Sequence, residues 1–332
     1  MARTVLARTQ RFPVAGTFTI ARGAKTHVDV VVATIRQDGW TAQGEATPIY
    51  YLGERAEGVC AQIREAAPLL AKRSVNEARE ALQTLLPRGA ARNALDSALW
   101  SLEARLSLRP VWQLAGLGPP RPLATAYTIS LADPAVMEST ARNAAAAGYA
   151  LLKVKLGGDA DMDRIAAVRR GSPAARLIVD ANEAWAGLDL EAQAAALRPH
   201  GVELIEQPVP AGEDHLLDGL RSPIPICADE SCQDHGDLPR LAGRYQAINI
   251  KLDKCGGLTE ALKLAAQASA AGMQIMTGCM LSTSLGIAPA LLAAQTSRWV
   301  DLDGPLLLAR DRPHAIRFRD GMAEPASRRL WG

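Results

Sequence analysis

Short apolar runs recur through the second two-thirds of the chain, and most of them close on an acid or a lysine. They lie near 124–130, 151–156, 176–181, 202–207, 225–229, 247–252, 273–278 and 299–303. Between them are Ala- and Leu-rich stretches with helical periodicity, such as PAVMESTARNAAAAG and GLTEALKLAAQASAAG. Apolar strands alternating with helices predict a parallel sheet. Eight strands with seven helical segments predict a (β/α)7β barrel, a modified TIM barrel. No helical pattern of similar strength follows Asp303, so an irregular closing segment is expected.

The first third has a different rhythm. Residues 3–10, 17–22, 28–36 and 40–46 alternate or are rich in β-branched side chains, with Gly16 and Asp38-Gly39 as turn signals; they predict an antiparallel meander. Three helical patterns follow near 54–70, 75–85 and 91–106, and the last spaces Leu95, Leu99, Leu102 and Leu106 as an apolar stripe. The GLGPPRP segment at 116–122 then breaks the pattern. The expected division is an α+β capping domain over 1–118, a barrel over 119–304, and a tail over 305–332 that has strand-like pieces (HAIRFRD) and returns to the first domain.

The chemistry is written at the ends of the barrel strands. Asp180, Glu206 and Asp229 close three successive runs, 26 and 23 residues apart, and the runs on either side carry Lys153, Lys155 and Lys251. Each interval fits one βα unit, so all six side chains converge on the mouth where strand C-termini meet. Lys153 and Lys155 share a strand face; an edge strand with both lysines in water is the plainer alternative. Three acids suit a hard divalent cation, Mg²⁺ or Mn²⁺, and no His or Cys recurs at these positions to suggest zinc; three unrelated capping acids are the plainer alternative here. A lysine pKa near 10.4 must fall to about 7–8 for a base at neutral pH, disfavouring the ammonium by roughly 4 kcal/mol. A neighbouring ammonium and a bound cation push that way, and bare carboxylates push the other way. Lys251 follows the acid strands and Lys155 precedes them, so in a closed barrel they face each other, as 1,1-proton transfer requires. Lys254 competes for the same role but is expected in a salt bridge.

Composition narrows the classes. With 37 basic and 35 acidic residues, net charge +2 and few aromatics, the chain has no field or stacking surface for nucleic acid. No run is long enough for a membrane span. Five cysteines without a C-x-x-C pair argue against zinc or disulfide frameworks, and with no leader-like N-terminus they imply a cytoplasmic protein. A homo-oligomer is compatible with such a barrel, although no surface stripe marks an interface.

LLKVKL, IVDANEAW, LIEQP, CADES, NIKLDKCGG and the helix ARNALDSALWSLEARL together resemble the muconate-lactonising subgroup of the enolase superfamily, over essentially the whole chain. The resemblance implies Asp180, Glu206 and Asp229 as Mg²⁺ ligands, Lys155 and Lys251 as the opposed acid/base pair, and Lys153 as the group that stabilises an enediolate. WVDLDGP resembles the Asp-x-Asp motif of the dipeptide epimerases, in which Asp301 and Asp303 would hold the substrate's α-ammonium; pairing with Arg298 or Arg310 is the alternative. GAARNALDSALW, ICADESC and DLDGPLLLA are closest to the L-Ala-D/L-Glu epimerases of that group, which implies a dipeptide substrate and peptidoglycan recycling. Gly278 and Met280 match positions lining the dipeptide site, and Arg22 matches an arginine that meets a glutamate side chain. The loop ATPIYYLGER departs from the group's PYPRYGE-like wording, so Tyr50, Tyr51 and Leu52 open the alternative of a more apolar second residue. Cycloisomerase or β-elimination chemistry on another carboxylate, or carboxylate binding without catalysis, are the competing functions.

Overall fold

The fold is that of a computed structural model describing residues 3–20, 23–157 and 160–332. β1 (Thr4–Ile20), β2 (Gly23–Gln37) and β3 (Trp40–Ala46) form the antiparallel sheet, covered by α1 (Ala56–Ala71), α2 (Val75–Leu85) and α3 (Ala90–Ser107). α2 starts in a capping box, in which Ser74 and Glu77 satisfy each other's backbone N–H. Strand alternation splits β2 between two cores. Val31, Ala33 and Ile35 face the helices with Ile63, Leu95 and Leu99, whereas Val28, Val30 and Val32 join the apolar core shared with the barrel.

The sequence reads 3–10 and 17–22 as separate strands, and the structure joins them. Pairing of β1 with β2 continues past a register shift between Pro13 and Phe18. Gly16, at φ +83°, sits in that bulge rather than in a turn. The cause lies elsewhere in the chain: here β1 also bonds outward, Val14 bridging Leu308 and Pro13 O accepting from Ala309 N at 2.9 Å.

After α4 (Val111–Leu114) and β4 (Leu123–Ala124) the barrel runs through β5 (Tyr127–Ile129), α5 (Pro134–Ala146), β6 (Leu151–Lys155), α6 (Asp161–Gly171), β7 (Arg176–Asp180), α7 (Leu190–Leu197) and β8 (Val202–Glu206). It continues with β9 (Ile226–Ala228), α8 (Leu238–Leu241), β10 (Ala247–Ile250), α9 (Leu252–Cys255), α10 (Leu258–Ala270), β11 (Gln274–Gly278), α11 (Ser284–Ala293) and β12 (Trp299–Asp301). The eight strands β5–β12 are parallel and lie in sequence order. Ala126 N donating to Val300 O at 2.7 Å and Leu302 N to Thr125 Oγ1 at 2.9 Å bring the two edges together. The connection from β8 to β9 is a single 3₁₀ turn, Asp214–Leu217, where the alternating pattern predicts a helix. The closing segment after β12 is irregular as expected.

In the tail, β13 (Phe318–Arg319) and β14 (Met322–Ala323) pair with β4 beneath the barrel. Beyond them Trp331 Nε1 donates to Ser97 O at 2.9 Å, which ties the last turn of chain to α3. α3 is therefore buried on nearly every side. Leu99 has no exposed surface, so Leu99→Ala should cost about 2–5 kcal/mol. A fall in the urea midpoint at unchanged slope is the measurement that checks it.

Candidate active site at the barrel mouth

One residue per barrel strand packs into an apolar plug inside the barrel, with Leu151, Ile178, Leu204, Met276 and Trp299 its bulkiest members. Two positions further along, the pleat returns the side chain to the same inner face. Those positions are Thr128, Lys153, Asp180, Glu206, Asp229, Asn249, Gly278 and Asp301. A dry plug thus carries a polar ring, and the next inward positions, Lys155 and Lys251, rise above it.

The ring is tightly paired. Lys153 Nζ lies 2.7 Å from Glu206 Oε2, 2.9 Å from Asp301 Oδ2 and 3.0 Å from Asp180 Oδ2. Lys155 donates to Asp180 Oδ2 and Lys251 to Asp229 Oδ2, each at 2.6 Å. Lys254 donates to Asp229 Oδ1 at 2.5 Å and to Asn249 O at 3.0 Å, so it is the salt-bridge partner rather than a lysine facing the cavity. β6 and β10 stand four strands apart in the eight-stranded ring, which puts Lys155 and Lys251 on opposite sides. The edge-strand alternative for Lys153 and Lys155 is excluded: both are buried, on a strand paired at both edges.

Electrostatics follow from this pairing. Burial disfavours the Lys153 and Lys251 ammonium groups, but facing carboxylates outweigh it (Asp180, Asp301 and Glu206 for one, Asp229 for the other) and hold both well above the usual lysine value. Burial likewise works against the Asp180 and Asp229 carboxylates, and the lysines overrule it and keep them below the ordinary carboxylate range. Glu206 is the exception. Burial and the Asp180 charge push it up to about 7, and its Oε2, though close to Lys153, has no hydrogen bond. An acid so poorly served, with one oxygen of each of Asp180, Glu206 and Asp229 within 4.8 Å of the others, is the donor set that a hard divalent cation fits.

Two supporting residues, Asn249 and Gln207, are not singled out by the sequence, and a third, Gly278, is named there for a different role. Asn249 Nδ2 donates to Glu206 Oε1 at 2.7 Å, two residues before Lys251 on the same inner face. Gly278 is what makes room for it, because a Cβ there would lie 2.7 Å from Asn249 Oδ1. Gly278 therefore stands behind the cavity wall, while its neighbours Cys279 and Met280 form the wall itself. Gln207, held at φ +37°, accepts from Asp229 N at 2.8 Å and Ser231 N at 3.1 Å, fixing the turn that carries Asp229. Strand periodicity points to Asn249 and the family resemblance to Gly278, as a residue lining the site; nothing local points to Gln207.

Above the ring is a cavity of about 260 Å³. Lys153, Lys155, Lys251, Asp301, Asp303 and Thr128 line its floor; Phe18, Ile20, Lys25, Tyr50 and Tyr51 of the capping domain line its roof. Lys25 Nζ sits 4.2 Å from the centre of the Tyr50 ring. Arg22 lies outside the described residues. Asp303 Oδ2 accepts from Thr128 N at 2.7 Å, and burial, reinforced by Asp301, pushes its carboxyl up to about 7. Neither acid pairs with the arginines suggested as alternatives: Arg298 donates to Gln274 Oε1 at 2.9 Å, and Arg310 reaches Arg11 O. Burial raises the Cys279 thiol well above its usual value, consistent with a packing residue rather than a nucleophile.

Comparison with known proteins agrees with this layout. Residues 2–116 match the mandelate racemase / muconate lactonizing enzyme N-terminal domain, and residues 136–328 match the enolase C-terminal domain-like family. The chain is 44% identical to the L-Ala-D/L-Glu epimerase of Escherichia coli K12, over 96% of this chain and 98% of that one. It superposes, with TM-score 0.95 and 48% identity over 99% of this chain and all of the other, on an enolase family member from Agrobacterium tumefaciens with homology to dipeptide epimerases, solved with sodium and L-Ala-L-Glu. A dipeptide epimerase from Enterococcus faecalis V583, solved with Mg and L-Leu-L-Tyr, gives TM-score 0.91 at 29% identity over 98% of each chain. Domain matches across both halves and near-complete coverage of these relatives place the chain in the enolase superfamily, within its mandelate racemase / muconate lactonizing enzyme group.

Proposed function

We propose that the protein is a Mg²⁺-dependent epimerase that inverts the α-carbon of the C-terminal residue in L-Ala-L-Xaa dipeptides, with Glu favoured as Xaa. The observation that carries this reading is the pair of lysines on opposite sides of one cavity, each tied to a different acid of the same cluster. Asp180, Glu206 and Asp229 would hold the cation, Mn²⁺ being the natural substitute. Bound there, it supplies Lewis-acid stabilisation to the charge that builds on the substrate carboxylate as the α-proton leaves.

The chain's own groups do the rest. Lys155 Nζ takes the α-proton on one face and Lys251 Nζ delivers one on the other, or the reverse for the opposite epimer. Lys153, held as an ammonium by its three carboxylates, donates to the enediolate oxygen. Asp301 and Asp303 face the same cavity and suit the α-ammonium of the N-terminal residue. Lys25 in the cavity roof, with Arg22 three positions earlier in the sequence, favours an acidic C-terminal side chain; Tyr50 and Tyr51 favour an apolar competitor. The relatives named above support both options. The proposed division keeps the cap in 1–118, the catalytic barrel in 119–304 and a returning tail in 305–332. A cytoplasmic place in peptidoglycan-fragment recycling belongs to the same reading, and a homo-oligomer is compatible with it.

Incubation with Mg²⁺ and a panel of L-Ala-L-Xaa dipeptides in D₂O, read by mass, tests the proposal. L-Ala-L-Glu should gain one dalton and yield the L,D epimer; no gain in any member would remove the dipeptide assignment. N-propionyl-L-glutamate, which lacks only the ammonium, should react about 10- to 100-fold less efficiently, the worth of a charged hydrogen bond. Equal efficiency would return the site to non-peptide carboxylates. Mg²⁺ at a hundredfold excess over its Kd should stabilise the fold by about 2.7 kcal/mol. Glu206→Gln should lose most of that gain in a thermal melt.

A further inference from the structure

Lys251 directly follows β10 and is the N-cap of α9, so the placement of α9 decides where the Lys251 side chain leaves the barrel wall. α9 is not held by the barrel alone. Asp253 Oδ1 accepts from Thr47 N and from Asn93 Nδ2, both at 2.9 Å, and both donors belong to the capping region. The same helix that carries Asn93 sits directly on the backbone that follows. Arg92 Nη2 donates to Cys255 O at 2.5 Å, and Asp96 accepts from Thr259 N at 3.0 Å. Gly256 and Gly257, at φ +90° and +117°, are bare because a Cβ would lie 2.1 Å from Arg92 Nε in one case and 2.6 Å from Asp96 Cβ in the other. Asp253, Asn93 and Thr47 are all buried. A carboxylate in such a seam is costly unless its oxygens are used, and burial pushes Asp253 up to about 7. One of its oxygens serves two donors, one of them backbone, across the boundary between the two halves of the molecule. Lys155 stands on β6, on the opposite side of the barrel, where the neighbouring Leu156 N is bonded to Asp180 O at 2.9 Å.

We propose that Asp253, gripped by Asn93 and Thr47, is the positioning residue for Lys251, so that the capping domain sets the reach of one of the two opposed lysines and not of the other. This rests on the two-lysine epimerase reading and deepens it. A lysine displaced by a fraction of an ångström relative to the α-carbon loses proton transfer on its own face only.

The test uses the full-length protein with Mg²⁺ in D₂O, given L-Ala-L-Glu and L-Ala-D-Glu separately. Asp253→Ala should slow deuterium entry into one epimer by about ten- to a hundredfold, the usual cost of a misplaced group, and leave the other close to wild type. Asp253→Asn keeps the Oδ1 acceptor and should behave as wild type with both. Equal losses on the two epimers, shared by Asp253→Asn, would overturn the proposal. Should Asp253→Ala not fold, Asn93→Ala removes one donor and carries the same expectation.

Acetylation of the lysines by acetic anhydride, read peptide by peptide, is a second readout that does not depend on the substrate. Labelling of Lys251 should change in Asp253→Ala while that of Lys155 does not. If wild type exchanges neither dipeptide, the epimerase reading has failed, and the labelling alone decides: a change confined to Lys251 upholds the positioning role, and no change, or an equal change at both lysines, ends it.

Discussion

Charge confined where water barely reaches is the condition on which the rest of this structure depends. Asp180, Glu206, Asp229 and Asp301 share the barrel mouth with Lys153, Lys155, Lys251 and Lys254, and all eight are buried. Removing an ion from water costs several kcal/mol even after relaxation. Two unit charges 4 Å apart interact by about 4 kcal/mol at an effective dielectric of 20. Neither sign is tolerable alone, and the pairing of acids with lysines at the mouth makes the assembly stable. Only a closed sheet delivers it, because the partners are contributed by different strands and must meet from several sides at once. The apolar plug beneath keeps the ring rigid and dry, which makes every charge in it count for more.

That arrangement also explains why both halves of the molecule are needed. The barrel supplies the lysines and the acids, while the β1–β2 hairpin and the Tyr50–Leu52 turn supply the wall against which a side chain would be chosen. Glu54 links that turn to α3, its two oxygens accepting from Ile49 N at 2.8 Å and Ala90 N at 3.0 Å. α3 in turn rests on the segment after Lys251. The cavity roof and the backbone that follows Lys251 therefore share one mechanical element, and a change in the cap has a direct route to one of the two lysines. The fold hosts several reactions on the same kind of ring, so the discriminating features are Asp301 within it and, above it, Asp303, Lys25 and the two tyrosines.

Much of this was legible in the sequence, for a definite reason. A strand buried on both faces reads as an apolar run, and a charged residue closing such a run has nowhere to go but the mouth. That logic finds Lys153, Lys155, Asp180, Glu206, Asp229 and Lys251 without any contact being known. Asn249 obeys the same period of two but is neutral, so it does not stand out against its neighbours. Gly278, named by the family resemblance, acts by lacking a side chain, so no period shows what it does; Gln207 accepts from backbone N–H groups in a turn and leaves no local pattern. Gly16 carries the signature of a turn, whereas the distant Leu308 segment makes it a bulge. The Asn93–Asp253 contact joins residues far apart in the chain, and only the docking of α3 onto the barrel brings them together.

Single replacement of each opposed lysine by alanine, followed by deuterium entry into the two epimers separately, is the most direct test of the two-sided site. Lys155→Ala should lose net epimerisation yet still exchange one epimer, and Lys251→Ala should exchange only the other. Equal exchange of both epimers by either variant would contradict opposed bases and leave the ring without its proposed chemistry.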